Sequence, residues 1–140
     1  MIEIEPGFSV SPQITPADVG KAATAGITAI VCNRPDGEEP GQPGMDEIEA
    51  AAHEAGLVFE RLPMSGGQLP IEHIDRMRSV LDHHDGVLAY CRTGTRCSIL
   101  WAAARAASGE DPDALLAKAG AVGYDLGAIK PLLLNLSAGS

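Results

Sequence analysis

Residues 86–105 constrain this chain more than any other stretch: Gly-Val-Leu-Ala-Tyr-Cys-Arg-Thr-Gly-Thr-Arg-Cys-Ser-Ile-Leu-Trp-Ala-Ala-Ala-Arg. The apolar run Val87–Tyr90, set off by Asp85-Gly86, reads as a buried strand. From Ser98 onward the Ala-rich run reads as a helix. Only Cys91 to Cys97 lie between them. A strand that feeds a helix through so short a loop gathers backbone N–H groups of the loop and first turn at one point. That point favours anions, because a helix N-terminus carries roughly half a positive charge. Cys91 stands at the strand end and faces it. The N–H groups, the helix dipole and Arg96 are expected to depress its pKa and make it a nucleophile at neutral pH. Arg96 offers a planar fork suited to an oxyanion, and Gly94 permits a tight turn.

The rest of the chain alternates strand-like and helix-like segments. Phe8-Ser-Val-Ser is a short strand pattern. Thr15-Pro16 opens a helix that runs to about Ala25, and Ile27–Cys32 is the next strand. A turn-rich loop, Asn33 to Gly44, follows at the point where that strand ends. Met45–Ala55 reads as a helix and Leu57–Leu62 as a strand. A second loop, Pro63–Pro70, leads to a helix over Ile71–His83 with an apolar face of Ile71, Ile74, Met77, Val80 and Leu81. Helices close the chain: one opened by Asp111-Pro112 and running to about Ala119, and one over Leu126–Leu136 in which Pro131 marks a bend or the true start.

This order predicts a single α/β domain spanning residues 1–140, with a mostly parallel sheet of about four strands flanked by helices. Ligands bind such sheets at the carboxyl ends of the strands, where the loops Asn33–Gly44, Pro63–Pro70 and Cys91–Arg96 all fall. A formal net charge of −9 disfavours nucleic acid and anionic membrane surfaces as partners, so the anion site is a local pocket in an acidic protein. Three cysteines, Cys32, Cys91 and Cys97, form no disulfide-like framework and point to free thiols in a reducing compartment. The acidic N-terminus lacks signal-peptide features, and no apolar run approaches the roughly 18 residues of a membrane span. The expectation is a cytoplasmic protein without cofactor. His53, His83 and His84 have no ligand-like spacing, so no metal site is expected.

The segment Leu88–Ser98, together with Asn33-Arg34-Pro35-Asp36-Gly37, resembles the bacterial phosphatase-like domain family found fused to beta-lactamase-like hydrolases. The similarity runs from about Phe8 to Ala107. It implies the fold of cysteine-dependent tyrosine and dual-specificity phosphatases, with Cys91 as nucleophile and Arg96 as the phosphate-binding arginine. Arg92, Thr93, Gly94 and Thr95 would form the cradle. Cys97 would stand where a hydroxyl usually assists departure of the thiolate, with Ser98 beside it. The usual signature of His-Cys, five residues and Arg is shortened here: Tyr90 replaces the His, and four residues separate Cys91 from Arg96. The loop that supplies an aspartic general acid in such enzymes corresponds to Pro63–Gln68, which holds no carboxylate. Asp36 is the candidate acid, with Glu38 and Glu39 on the same loop as substitutes.

These residues support a phosphatase acting on phosphotyrosine, phosphoserine or a small phosphoester through a phosphocysteine. Cys-Arg-x-Gly-x-Arg also resembles the loop of rhodanese-like sulfurtransferases, in which the cysteine carries a persulfide and no carboxylic acid is needed. A third alternative is a module that docks phosphorylated partners without turnover. The expected ligand is a phosphorylated or sulfur-containing anion. Cys97 can pack in the first helical turn or act as a resolving thiol, Trp101 and Cys32 are core residues, and Arg92 lies at the pocket rim or on the substrate.

Overall fold

The computed structural model describes residues 1–139. Its strands are β1 (Ile2–Glu5), β2 (Phe8–Ser11), β3 (Ala29–Cys32), β4 (Val58–Arg61) and β5 (Val87–Tyr90). Its helices are α1 (Pro16–Thr24), α2 (Met45–Glu54), α3 (Ile71–His83), α4 (Thr95–Ala107), α5 (Pro112–Ala121) and α6 (Lys130–Ala138), with a 3-10 turn at Gly127–Ile129 before α6. The sheet order is β1-β2-β5-β3-β4, parallel except for the β1–β2 hairpin. The expected α/β architecture is therefore present, and the sheet has five strands rather than about four.

The additional strand is β1, where Ile2-Glu-Ile-Glu alternates apolar and polar residues. It returns through Pro6-Gly7 onto β2, with Gly7 at φ +87°. A Cβ at Gly7 would stand 2.5 Å from the Asp85 carbonyl, so glycine lets the hairpin pass close under β5. Two helix limits also differ from expectation. Helix α4 begins at Thr95, not Ser98, because Gly94 takes a left-handed conformation (φ +93°) and turns the chain straight into the helix. Arg96 and Cys97 thus belong to its first turn. In the last helix, Pro131 sits in the first turn of α6, where its missing N–H costs nothing.

Central strand β5 is buried along its whole length, and its period-two alternation serves two cores. Val87 and Ala89 face a layer that includes α3, α4, α5 and α6, while Leu88 and Tyr90 face α1 and α2. The alanines of α4 let this helix lie close on the sheet. Trp101 of α4 stacks on Phe8 of β2, ring centroids 5.9 Å apart and planes 7° apart. Because β4 is followed by α3 and a return to β5 between β2 and β3, the chain reverses direction across the sheet there. The carboxyl ends of β3, β4 and β5 open together at that reversal. Among the described residues, no helix is long and apolar enough to cross a membrane.

Candidate active site

Cys91 leaves the end of β5 with its N–H donating to the Ser11 carbonyl at 3.2 Å, and it is fully buried. The loop then folds over its own sulfur. The Gly94 N–H donates to Cys91 Sγ at 3.0 Å, and the nearby Thr93 and Cys97 N–H groups add to the field that favours its charged form. The neighbouring Cys97 side chain is the largest influence lowering its pKa. Burial opposes these donors and loses: the Cys91 pKa is brought down from 9.0 to about 5. Cys97 moves the other way, because complete burial keeps its own thiol protonated. The two neighbouring cysteines are thus shifted in opposite directions, Cys91 toward its charged form and Cys97 toward its neutral one.

The loop braces itself. Thr93 Oγ1 donates to Thr95 Oγ1 at 3.1 Å, and Ser98 Oγ donates to the Gly94 carbonyl at 2.9 Å. From the segment after α5, the Tyr124 hydroxyl donates to the Thr93 carbonyl at 3.0 Å. Tyr90, which stands in the place of the signature His, turns to the α1–α2 face and lies beside Cys32, its register partner on β3. Cys32 itself is core, its thiol donating to the Arg34 carbonyl at 3.2 Å.

Arg96 joins all three loops. Its Nη1 donates to the Met64 carbonyl and to Glu38 Oε2, and its Nη2 to Glu38 Oε1, each at 2.8 Å. This pairing holds the Glu38 carboxyl below the usual range and raises the Arg96 pKa further. Glu38 is held from behind by Arg34, which is only 3% exposed. Arg34 Nε donates to Glu38 Oε1 at 3.0 Å, Nη2 to Glu39 Oε1 at 2.6 Å and Nη1 to Gln13 Oε1 at 3.1 Å. Glu39 also pairs with the exposed Arg92 at 3.2 Å. Asp36 faces elsewhere: its Oδ1 accepts the Met45 N–H at 2.8 Å, at the start of α2.

The structure thus brings Cys91, Gly94, Arg96 and Cys97 together, with Thr93 and Thr95 on the exposed turn of the loop and Arg92 at its rim. It turns Asp36 toward α2 and puts Glu38 on the arginine. Arg34 as the anchor of Glu38, and Tyr124 at the loop, were not found from the sequence. Arg34 lies in a polar turn-rich segment where burial has no local signature, and Tyr124 is distant from the loop in sequence. Chemically, the site is a cysteine of lowered pKa under the Gly94 N–H, beside a bidentate arginine whose fork already holds a carboxylate. Such a site suits an oxyanion bonded to an electrophilic centre.

Residues 1–108 match the family described as "Beta-lactamase hydrolase-like protein, phosphatase-like domain". A beta-lactamase hydrolase-like protein of Xylella fastidiosa is 33% identical over 129 residues, covering 91% of this chain and 30% of that protein. The corresponding protein of Agrobacterium fabrum is 32% identical over 109 residues, covering 77% of this chain and 25% of that protein. The chain therefore spans less than a third of the length of these relatives. A crystal structure of a candidate phosphatase from Neisseria meningitidis superposes with a TM-score of 0.81 at 36% identity, covering 96% of each chain. Kinase associated phosphatase, solved with serine in place of its catalytic-site cysteine, shares the fold at a TM-score of 0.72 and 13% identity, over 95% of this chain and 87% of that one.

Proposed function

The chain belongs to the phosphatase-like domain family of beta-lactamase hydrolase-like proteins, and from that premise we propose that it hydrolyses a phosphomonoester through a phosphocysteine at Cys91. The observation that carries this reading is Cys91 Sγ held under the Gly94 N–H at 3.0 Å with the Arg96 guanidinium beside it, a setting that lowers the thiol's pKa. The phosphoryl oxygens take the N–H donors and the Arg96 fork. Cys91 Sγ attacks phosphorus as the ester oxygen departs with a proton. Glu38 is the carboxyl placed to supply that proton. While paired with Arg96 it is held ionised. Once the phosphoryl group takes the fork, Glu38 loses its main cationic partner and gains an anionic neighbour, and both changes raise its pKa. Water, deprotonated by the same carboxylate, then attacks phosphorus and breaks the S–P bond, releasing inorganic phosphate and the Cys91 thiolate. Asp36, committed to α2, serves the loop's shape in this reading.

The test is hydrolysis of an aryl phosphate by the full chain, with intact-mass analysis of acid-quenched protein. Wild type is expected to turn over and show one added phosphoryl group on Cys91. Cys91→Ser is expected to lose all turnover, and Arg96→Lys most of it, because an ammonium cannot offer the fork. Turnover that survives Cys91→Ser overturns the assignment. No turnover, together with one sulfur atom gained on Cys91 after thiosulfate treatment, replaces it with sulfur transfer. Tight binding of a phosphate analogue with neither chemistry replaces it with a docking role.

A further inference from the structure

The Thr93 carbonyl and the Gly94 N–H belong to one trans peptide group, so they point in opposite directions. On its inner side the N–H donates to Cys91 Sγ at 3.0 Å. On its outer side the carbonyl accepts the Tyr124 hydroxyl at 3.0 Å. Glycine at position 94, with φ at +93°, tolerates either sign of φ, so the backbone by itself has little preference for which face of this peptide meets the sulfur. Tyr124 also closes the space outside the turn: a Cβ on Gly94 would lie 2.3 Å from its hydroxyl oxygen and 3.0 Å from Cζ. We propose that Tyr124 is a positioning residue for Cys91, holding the Thr93 carbonyl outward so that the Gly94 N–H stays aimed at the sulfur.

This proposal rests on the reading of Cys91 as a thiolate nucleophile, but on neither phosphatase nor sulfurtransferase chemistry. The other groups that face Cys91 are Cys97 and Arg96 of α4, with Glu38 beyond Arg96. All of them stay in place when only the Tyr124 hydroxyl is removed. Losing the outer bond frees the peptide to rotate, and the sulfur then loses a donor that favours its charged form.

The experiment follows iodoacetamide alkylation of Cys91 against pH in the full chain, located by peptide mass, for wild type and Tyr124→Phe. Burial holds the Cys32 and Cys97 thiols up in pKa, opposite in direction to Cys91, so they serve as internal controls. Wild type is expected to show its inflection near 5. In Tyr124→Phe the inflection is expected to rise by about one pH unit, the scale of one hydrogen bond to a charged acceptor, and alkylation below both inflections to slow about tenfold. A second readout is the Gly94 amide resonance, which should respond to Cys91 ionisation in wild type and lose that response in Tyr124→Phe. If wild type titrates near 9.0, the thiolate reading falls and this proposal with it. If wild type titrates low and the variant matches it in both readouts, the role of Tyr124 alone is overturned.

Discussion

Asp36 accepts the Met45 N–H at the head of α2, whereas Glu38 closes on both terminal nitrogens of Arg96. The two carboxylates are near neighbours in sequence, and the loop turns them to different tasks. Glu38→Gln keeps the shape and removes the proton. It is expected to cost alkyl and phenyl phosphates about 10²-fold or more in kcat, and a nitrophenyl ester much less, because a good leaving group departs unprotonated. Asp36→Ala removes an exposed capping contact worth about 1 kcal/mol. Its expected signature is a lower urea midpoint with both ester classes moved alike. A leaving-group dependence in Asp36→Ala and none in Glu38→Gln would reverse the two assignments. The sequence put both residues on the right loop, but side-chain direction within it depends on Arg34, whose burial is set by contacts with Gln13, Glu38 and Glu39.

The strand–loop–helix unit of β5 and α4 was readable because its causes are local: an apolar run, a glycine turn and an alanine-rich helix. Its entry is constrained just as tightly from outside. A Cβ on Gly86 would meet the Gly26 carbonyl oxygen at 2.3 Å and the Gly26 carbon at 3.1 Å, all backbone atoms that cannot swing aside. The Gly86 carbonyl also accepts the Thr28 N–H at 2.8 Å, so the same contact sets where β3 and β5 come together. Gly86→Ala is therefore expected to destabilise the fold by about 1–3 kcal/mol, the range of overpacking, read as a lower urea midpoint with an unchanged slope. Gly26→Ala meets no crowding but must hold φ at +94°, so strain alone governs its effect. A neutral Gly86→Ala would show that the two backbones can separate without cost.

At the scale of the whole molecule, the ionisation of Cys91 is coupled to folding. Its folded pKa of about 5 lies below the ordinary thiol value of 9.0. The folded state thus binds fewer protons than the unfolded state between these values, and stability from this group is full above pH 9.0 and is lost as pH falls through about 5. The melting-temperature difference between wild type and Cys91→Ser, which lacks the thiolate, is expected to favour wild type most at high pH and to shrink steadily toward pH 5. A difference independent of pH would mean that the sulfur is not ionised in the fold. By itself the sequence determined the alternating α/β order, the parallel sheet, the three loops at its carboxyl end, and Cys91 and Arg96 as a pair, since each follows from periodicity, turn chemistry or short spacing. It left out β1, whose four residues become a strand only by pairing with β2. It named Asp36 ahead of Glu38 on the loop, whereas Glu38 is the carboxylate that meets Arg96, and it held no sign of Tyr124. Those were decided by tertiary structure, because the buried arginine that aims Glu38 and the tyrosine that caps the Thr93–Gly94 peptide act across distances in sequence that no local pattern records.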